Sequence, residues 1–398
     1  MGSPAAALGL LLVLGCGRLP AAAAARVVIS NVKPRTTIAG ATLPVHDGGV
    51  YLYGAGAERG WYFYGMEYGL CTEDPHGGCA NHTTGACGFR TDHKVSIFRS
   101  PDLSQNSWTR VGSALPDARP KAIYYRPKVL FNAGTKKYVL WVNWRECLPC
   151  SLYYLTATSD TPVGPFTLAV ANVTTRYRDG GDFSVFADDD GKGYLLYQSR
   201  ASGHVASVEL LSDDFTDSLG AVEPSKHSSG LFGPKGIEAP AMFKRDGVYY
   251  ATVGLDCCFC KSGSGVTFFT ASSPLGPFVE HEQVGRYPNK TSVTKAQQNF
   301  VITVPGAGGK STFLWTGDRW QSAPDGLKDH DFQTWLPLEF TDTGAGAAAE
   351  GVEGAAAPAM IKQMVFQDTF TIDVEHVDAA ALPLPLLPSI TVQSQHDV

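Results

Sequence analysis

Short apolar runs separated by turn residues recur along the chain, and a clear example follows Glu238. Residues 239–243 form an apolar run, Asp246 and Gly247 give a turn signal, and residues 248–250 begin a second run of β-forming residues. This order predicts a β-hairpin with a carboxylate at the mouth of its first strand.

The same hairpin pattern occurs five times, and further strand-like runs follow several of the hairpins. Four strands per unit and a period near 56–60 residues are typical of a β-propeller blade, whereas a two-sheet sandwich does not repeat a four-strand pattern with the same turns. We therefore expect an all-β fold, a five-bladed β-propeller, whose fifth blade is completed by residues 334–340 and 364–370. The predicted hairpins pair residues 49–53 with 61–64, 127–131 with 138–142, 183–186 with 194–197, 237–243 with 248–250, and 300–304 with 312–315.

One residue stands immediately before the first strand of each predicted blade. The first strand of a blade lines the central axis, so these five positions should converge at one mouth of the channel. The first two are 78 residues apart because a cysteine-containing loop follows blade one, and the later separations are 57, 56 and 59 residues. The five residues are Asp47, Tyr125, Asp182, Glu238 and Gln297.

Composition limits the class of partner. The 398 residues include 43 glycines and 25 prolines, as expected for a chain with many turns, and the formal net charge is −6. This charge gives no electrostatic reason to expect nucleic acid or an anionic membrane as a partner, and we expect a monomer. The propeller domain is predicted over residues 26–376, with an Ala/Gly-rich loop insertion at 341–358 and a disordered tail at 377–398.

The first 25 residues resemble a secretory signal peptide. Residues 8–14 are an apolar h-region and residues 21–25 are alanines that offer a cleavage site, so a secreted protein is expected. Eight cysteines remain after such cleavage, an even number that suggests disulfide bonds; a redox motif at Cys147 and Cys150, or a zinc site, is the less favoured interpretation. The sequons are at Asn81, Asn172 and Asn289.

Two or three acids at the mouth of an uncharged, aromatic-rich pocket suit glycoside hydrolysis, which needs one protonated carboxyl group and a second group that activates water or attacks the sugar. Glu238 has apolar neighbours, and a desolvated carboxyl has a raised pKa, as a general acid requires. Asp182 is placed to orient Glu238. For each acid taken alone a solvated turn residue remains the alternative. Candidate stacking surfaces for sugars, each equally compatible with a core position, are Trp61, Trp144, Trp320 and Trp335.

The motifs resemble glycoside hydrolase family 43, and particularly its exo-β-1,3-galactanase-like branch, from about residue 38 to residue 340. The resemblance implies an inverting mechanism with Glu238 as general acid and Asp182 as the residue that tunes its pKa. In most members an Asp at the start of blade one is the base, which suggests Asp47; the galactanase-like branch is thought to use a glutamine of blade five, which Gln297 matches. The motifs lie at 45–49, 62–65, 126–129, 182–192, 238–241, 296–298, 316–320 and 335–338.

The resemblance also implies the function and the remaining site residues. We expect a secreted exo-glycosidase acting on galactan-type or related polysaccharides, without a cofactor, although a structural cation in the channel is compatible with the family. The alternatives are a non-catalytic glycan-binding propeller, a β-xylosidase or α-L-arabinofuranosidase of the same family, or a protein-interaction propeller. Tyr125 replaces a Glu of the galactanase-like branch. The expected substrate-binding residues are His46, Glu67, Tyr125, Arg126, Asp318 and Trp320.

Overall fold

The computed structural model describes residues 24–72, 86–255, 259–306, 310–341 and 358–375. The predicted signal peptide, the Ala/Gly-rich insertion and the C-terminal tail lie almost entirely outside these ranges, as do Asn81, Cys79, Cys257 and Cys258. The described fold begins two residues before the predicted domain boundary at residue 26 and ends at Glu375.

The described residues are organised as twenty-one strands, four single-turn helices and the loops between them. The helices are α1 (Pro224–His227) and three 3-10 turns at Gly56–Glu58, Cys87–Phe89 and Lys328–His330. In these ranges no helix has the length and the apolar character that a membrane crossing requires. In chain order the strands are β1 (Ala24–Ser30), β2 (His46–Tyr53), β3 (Gly60–Glu67), β4 (Lys94–Ser100), β5 (Thr109–Ser113), β6 (Ile123–Asn132), β7 (Lys137–Arg145), β8 (Tyr153–Ser159), β9 (Thr167–Val173), β10 (Gly180–Ala187), β11 (Gly193–Ser199), β12 (Val205–Leu210), β13 (Ser228–Phe232), β14 (Ile237–Arg245), β15 (Val248–Leu255), β16 (Thr267–Ala271), β17 (Val279–Glu280), β18 (Gln297–Pro305), β19 (Ser311–Arg319), β20 (Phe332–Pro337) and β21 (Thr369–Glu375).

Five antiparallel sheets form a closed ring of blades. Blades one to four each have four consecutive strands, β2–β5, β6–β9, β10–β13 and β14–β17, and blade five has β18–β20. The first strand of every blade contacts the first strand of the next, and β18 returns to β2. This confirms the prediction of a five-bladed propeller whose innermost strands are the first strands of the repeats.

Local turn chemistry explains the individual hairpins. In blade four, Arg245 pairs with Val248, so Asp246 and Gly247 form a two-residue loop, and their φ angles are 50° and 79°. Such turns need positive φ at both positions, which Asp and Gly tolerate better than most residues. The predicted turn at Asp188 also forms, because the backbone N–H of Asp188 donates to the carbonyl oxygen of Lys192.

The prediction that residues 364–370 complete blade five is wrong. The strand near this segment, β21, begins at Thr369 and pairs with β1 in a separate two-stranded sheet. We call β1 and β21 the closing pair, because their apolar side chains pack into the cluster between blades five and one. Asn31 fastens the pair to blade five: its Nδ2 donates to the carbonyl oxygen of Trp335, and its Oδ1 accepts the backbone N–H of Trp335, both at 2.8 Å.

The apolar core lies between neighbouring blades rather than in one central mass. One cluster of buried side chains fills each of the five junctions, since each sheet packs its faces against the sheets beside it. Burying one large apolar side chain contributes about 1.5–3 kcal/mol. The blade junctions therefore hold the ring rigid, and the loops at the channel mouth are supported from below.

Candidate active site

The five residues predicted to converge do line one cavity at the mouth of the channel. This cavity has a volume of about 490 Å³, a usual size for a site that binds a small organic ligand. Its lining includes one of these residues from each of the five blades: Asp47, Tyr125, Asp182, Glu238 and Gln297.

A bulge in each innermost strand aims these residues into the cavity. The pairing register shifts after His46 in β2, after Tyr125 in β6 and after Glu238 in β14, which places these three residues level with one another. Asp47 is one position further along, level with Arg126, and both have positive φ angles. The expectation that Asp47 and Glu238 occupy equivalent positions in their blades is therefore wrong by one residue, because His46 is the residue level with Glu238. Both the Asp47 and the Glu238 side chains nevertheless reach the same cavity. Bulges commonly redirect side chains in this way next to functional sites.

Arg126 of blade two links the acids of blades one and three. Its Nε lies 2.8 Å from Oδ1 of Asp182, and its Nη1 lies 3.3 Å from Oδ1 of Asp47. All three residues are largely enclosed, so the guanidinium compensates two carboxylates that would be costly to bury alone. Asp182 also hydrogen-bonds to Glu238. Asp47 and Glu238 therefore lie at the two ends of one chain of polar contacts.

The environments of Glu238 and Asp182 drive their pKa values apart. Burial raises the pKa of Glu238 well above its usual range, and the nearby Asp182 carboxylate raises it further. Burial also opposes ionisation of Asp182, but Arg126, Glu238 and the backbone N–H of Ala239 outweigh it and hold the pKa of Asp182 low. Glu238 is thus the carboxyl group that keeps its proton, and Asp182 is the one that stays ionised.

A histidine from blade three also contacts the acid. Nδ1 of His204 lies 3.1 Å from Oε1 of Glu238. Burial lowers the pKa of His204, so the ring is neutral near pH 7. With Glu238 protonated and the ring neutral, one of the two groups donates in this contact and the other accepts.

Asp47 is held by groups from three blades. Its backbone N–H donates to Oδ2 of Asp318 at 3.1 Å, its backbone oxygen accepts from Nζ of Lys128 at 2.9 Å, and its Oδ2 accepts from the hydroxyl of Tyr68. Burial raises the pKa of Asp47, and the carboxylates of Asp318 and Asp182 add to the increase against the opposing effect of Arg126. A carboxylate with a raised pKa is a stronger proton acceptor, as a general base requires.

Gln297 presents a donor to its surroundings rather than an acceptor. Its Oε1 accepts from Nε1 of Trp320 at 2.7 Å and from the backbone N–H of Phe259 at 3.1 Å. These two donors fix the orientation of the amide. The buried Nε2 has no hydrogen-bond partner among the described residues. The carbonyl oxygen that a base would use is therefore already occupied.

Only two of the six residues expected to bind substrate line the cavity, namely Tyr125 and Arg126. His46 and Asp318 are fully enclosed beneath it, where Nδ1 of His46 lies 3.0 Å from Oδ1 of Asp318. Trp320 is buried under Gln297. Glu67 points away and pairs with Arg110 at 3.0 Å. These four residues support or surround the site, and the expectation that they contact a ligand is corrected, because the pattern of a motif does not show which member reaches the surface.

The four tryptophans do not form sugar-stacking surfaces. Each is at most 7% exposed, and none lines the cavity. They pack in the clusters between blades, where a large ring buries the most apolar area. The aromatic walls of the cavity are instead Phe89, Tyr125 and Phe259, and all three belong to one small cluster or pack against it.

Disulfide bonds brace the loops around the cavity, and the even number of cysteines had suggested such bonds. Cys71 is bonded to Cys87, two residues before Phe89, and Cys147 is bonded to Cys150 around Leu148 and Pro149. Phe89, Leu148 and Pro149 all line the cavity. Cys260 is also disulfide-bonded, to a cysteine outside the described residues. Within the described ranges, no group of three or more His, Cys, Asp or Glu side chains is arranged to hold a metal ion.

The sequence analysis missed two cations of the cavity, Arg145 and Arg200, and the neutral His204. Its expectation of an uncharged pocket is therefore wrong. Arg145 ends the second strand of blade two, and Arg200 follows the second strand of blade three. The signal was available, because the second strand of a blade returns to the face where the first strand begins. Nη2 of Arg145 donates to the hydroxyl of Tyr125 at 3.4 Å.

Curated relatives match part of the chain. A β-D-galactofuranosidase from Aspergillus niger is 27% identical over 207 residues, which cover 50% of this chain and 56% of that protein. The chain spans about half the length of the curated relatives that it matches.

Solved structures match the fold. An exo-β-1,3-galactanase from Clostridium thermocellum superposes with a TM-score of 0.65 at 22% identity, covering 88% of this chain and 68% of that one. An exo-β-1,3-galactanase from Phanerochaete chrysosporium, solved with galactose, gives a TM-score of 0.63 at 23% identity and covers 87% and 69% of the two chains. Such identities show the shared architecture.

The strongest evidence of kinship is the match to a protein-family model. The model for glycosyl hydrolases family 43 aligns with residues 78–318, which is well over half of the chain and includes Arg126, Asp182, Glu238 and Gln297. Together with the five-bladed ring, this match confirms the resemblance inferred from the motifs: the chain belongs to glycosyl hydrolase family 43.

Proposed function

We propose that the protein is an inverting, exo-acting glycoside hydrolase that removes galactose-type residues from the ends of polysaccharides. The observation that carries the proposal is the chain of contacts from Asp47 through Arg126 and Asp182 to Glu238. It provides a protonated acid and an ionisable base that line one cavity, which is the pairing that inverting hydrolysis needs.

The reaction assigns one role to each end. Glu238 donates its proton to the glycosidic oxygen as the bond from that oxygen to the anomeric carbon breaks. A water molecule attacks the anomeric carbon from the opposite face, and Asp47 accepts a proton from this water. The product sugar has the inverted configuration. Loss of the proton from Asp47 to solvent and uptake of one by Glu238 restore the starting state.

Exo action is supported by the depth of the cavity. Lys128 is fully buried below Asp47, and its Nζ also contacts Oδ1 of Asn299 at 3.3 Å. Burial lowers the pKa of Lys128 to about 7. Its side chain occupies the channel at this level, so that a sugar chain entering from the mouth meets a closed floor. Such a site accepts the end of a chain rather than its middle.

The test is an assay of the purified full chain on a panel of 4-nitrophenyl glycosides and oligosaccharides, with product anomers followed by proton NMR. We expect release of a terminal sugar, first seen as the anomer opposite to that of the substrate. Sugar binding without any product would instead support the glycan-binding alternative, and a product that retains its configuration would overturn the inverting mechanism.

A furanosidase is the second candidate, favoured by two observations. The Aspergillus niger relative is named a β-D-galactofuranosidase. Tyr125 also lines the cavity where the galactanase-like pattern has an acid, and its hydroxyl is tied to Arg145. Faster hydrolysis of 4-nitrophenyl β-D-galactofuranoside or α-L-arabinofuranoside than of the β-D-galactopyranoside would select this candidate.

Substitution Asp182→Asn is expected to move the alkaline limb of the pH profile of kcat/KM to lower pH. The negative charge of Asp182 contributes to the raised pKa of Glu238, so its removal lets Glu238 lose its proton at lower pH. Since the acid must be protonated, activity is then lost earlier as pH rises. The matched control is Asp190→Asn in an exposed turn of blade three. An unmoved or higher alkaline limb would contradict the role assigned to Asp182.

We also propose export of the protein as a monomer. The proposal is supported by the apolar run at residues 8–14 and by the bonded state of the described cysteines, since disulfides persist in oxidising compartments. Asn172 and Asn289 are both exposed, as glycan attachment requires. The measurement is N-terminal sequencing and light scattering of the protein recovered from culture medium; retention in the cell with an intact N-terminus would refute export.

A further inference from the structure

A second cavity adjoins the first at the proposed acid. It has a volume of about 720 Å³ and shares Glu238 and His204 with the first cavity. From there it extends over the top edge of blade four, past Lys235 and Leu255, to Gln283. We call this second cavity the blade-four groove.

A third cavity continues the groove outward. It has a volume of about 620 Å³ and shares residues 280–283 with the blade-four groove before it reaches Gln363. Three concave surfaces therefore lie in sequence from the channel mouth to the outer edge of blade four, and Glu238 stands at the boundary between the first two. A continuous groove of this kind suits an extended chain more than a single small molecule.

We propose that the blade-four groove binds the leaving-group side of a polysaccharide, so that the substrate spans both sides of Glu238. The proposal rests on the function proposed above, because a general acid must touch the oxygen between the two sugars. The sugar to be released occupies the cavity that contains Asp47 and Arg126. The sugars that follow the scissile bond must leave on the other side of Glu238, where the blade-four groove begins.

The segment at the centre of the groove is held rigidly and presents free polar groups. The backbone N–H of His281 donates to the carbonyl oxygen of Phe268, and its Nε2 contacts Oγ1 of Thr270 at 2.7 Å. Glu282 and Gln283 are exposed beside it, and among the residues that the structure describes neither side chain has a hydrogen bond or an ion pair. Carboxylate and amide groups that are unpaired on an anchored segment are available as partners for sugar hydroxyls.

Charge restricts the sugars that the groove can accept. The exposed carboxylates of Glu280 and Glu282 outnumber the ammonium of Lys235, and burial lowers the pKa of His281, which leaves it neutral near pH 7. Like charges repel, so uronic acids are disfavoured in the part of the groove that holds these two carboxylates. The preferred substrate is therefore a neutral polysaccharide.

The test compares one long and one short leaving group in the double variant Glu282→Ala/Gln283→Ala. The ratio of kcat/KM on β-1,3-galactotriose to kcat/KM on 4-nitrophenyl β-D-galactopyranoside should fall about tenfold, since hydrogen bonds to the leaving sugars are lost. The matched control is Asp160→Ala, which removes an exposed carboxylate of blade two and should keep the wild-type ratio.

The outcomes separate this inference from the proposed function. If the double variant hydrolyses both substrates with an unchanged ratio, the proposed binding role of the blade-four groove is refuted, whereas the proposed hydrolase function is retained. Failure of the wild type on both substrates and on the furanosides would overturn the proposed function and the groove with it. A binding titration of galactotriose on the Glu238→Gln background, with and without the double substitution, should show the same loss of about tenfold in affinity.

Discussion

Replacing Glu238 by glutamine is expected to lower kcat on galactan oligosaccharides by about 10²–10⁴-fold, the usual contribution of a positioned acid. Glutamine keeps the size of the side chain but has no proton to give to the leaving oxygen. The position is buried beside Asp182, so a neutral isostere introduces no new charge and the fold should be retained. The measurement is initial-rate kinetics on purified protein, with circular dichroism to check folding.

The leaving group provides the internal control for this prediction. A 2,4-dinitrophenyl glycoside needs little proton assistance, so Glu238→Gln should lose much less activity on it than on an unactivated oligosaccharide. The paired control variant is His204→Gln, which removes a contact to Oε1 of Glu238 but leaves the acid in place. Equal losses of Glu238→Gln on both substrates would show that Glu238 is not the proton donor.

Substitution Asp47→Asn is expected to lower kcat by about 10²–10⁴-fold on every substrate, including those with activated leaving groups. Water must be deprotonated whatever the leaving group is, so no substrate can bypass the base. Gln297→Ala is the comparison variant. A smaller loss is expected for this variant. The amide oxygen that a base would use, Oε1 of Gln297, already accepts hydrogen bonds from Trp320 and Phe259.

The comparison of Asp47→Asn with Gln297→Ala decides which of the two residues is the general base, a choice that the family resemblance left open. A larger loss in Gln297→Ala than in Asp47→Asn would assign the base to Gln297. Folding must be checked for Asp47→Asn, since Arg126 and Tyr68 both bind this carboxylate. Thermal unfolding measured for both variants provides the check.

The blade architecture could be predicted because it depends on local signals. Alternating apolar runs and Asp-Gly turns specify hairpins, and their repetition at a nearly constant interval specifies blades. The end of blade five at three strands could not be predicted in this way. The segment at 364–370 has the composition of a strand, but the pairing of β21 with β1 is decided by which partner lies beside it after the ring has formed.

Site residues could be predicted only where the position of a residue in the blade repeat determines the direction of its side chain. The rule that residues before each first strand converge correctly brought together Asp47, Asp182, Glu238 and Gln297. It could not show that Arg126 bridges two acids, because the bulge that turns this side chain inward depends on the sheet register. It also could not show whether Trp320 is exposed or buried, since burial depends on neighbours that are distant in sequence.

The closing pair has a consequence for the order of folding. Residues 24–30 pair with residues 369–375, so β1 meets its partner only after all five blades have been synthesised. Each blade is built from nearby residues and can form as it is synthesised, but the junction between blades five and one must wait. Until then its apolar faces, including Trp61 and Trp335, remain uncovered. Truncation of β21 should therefore yield chains that form blades and aggregate through this open seam.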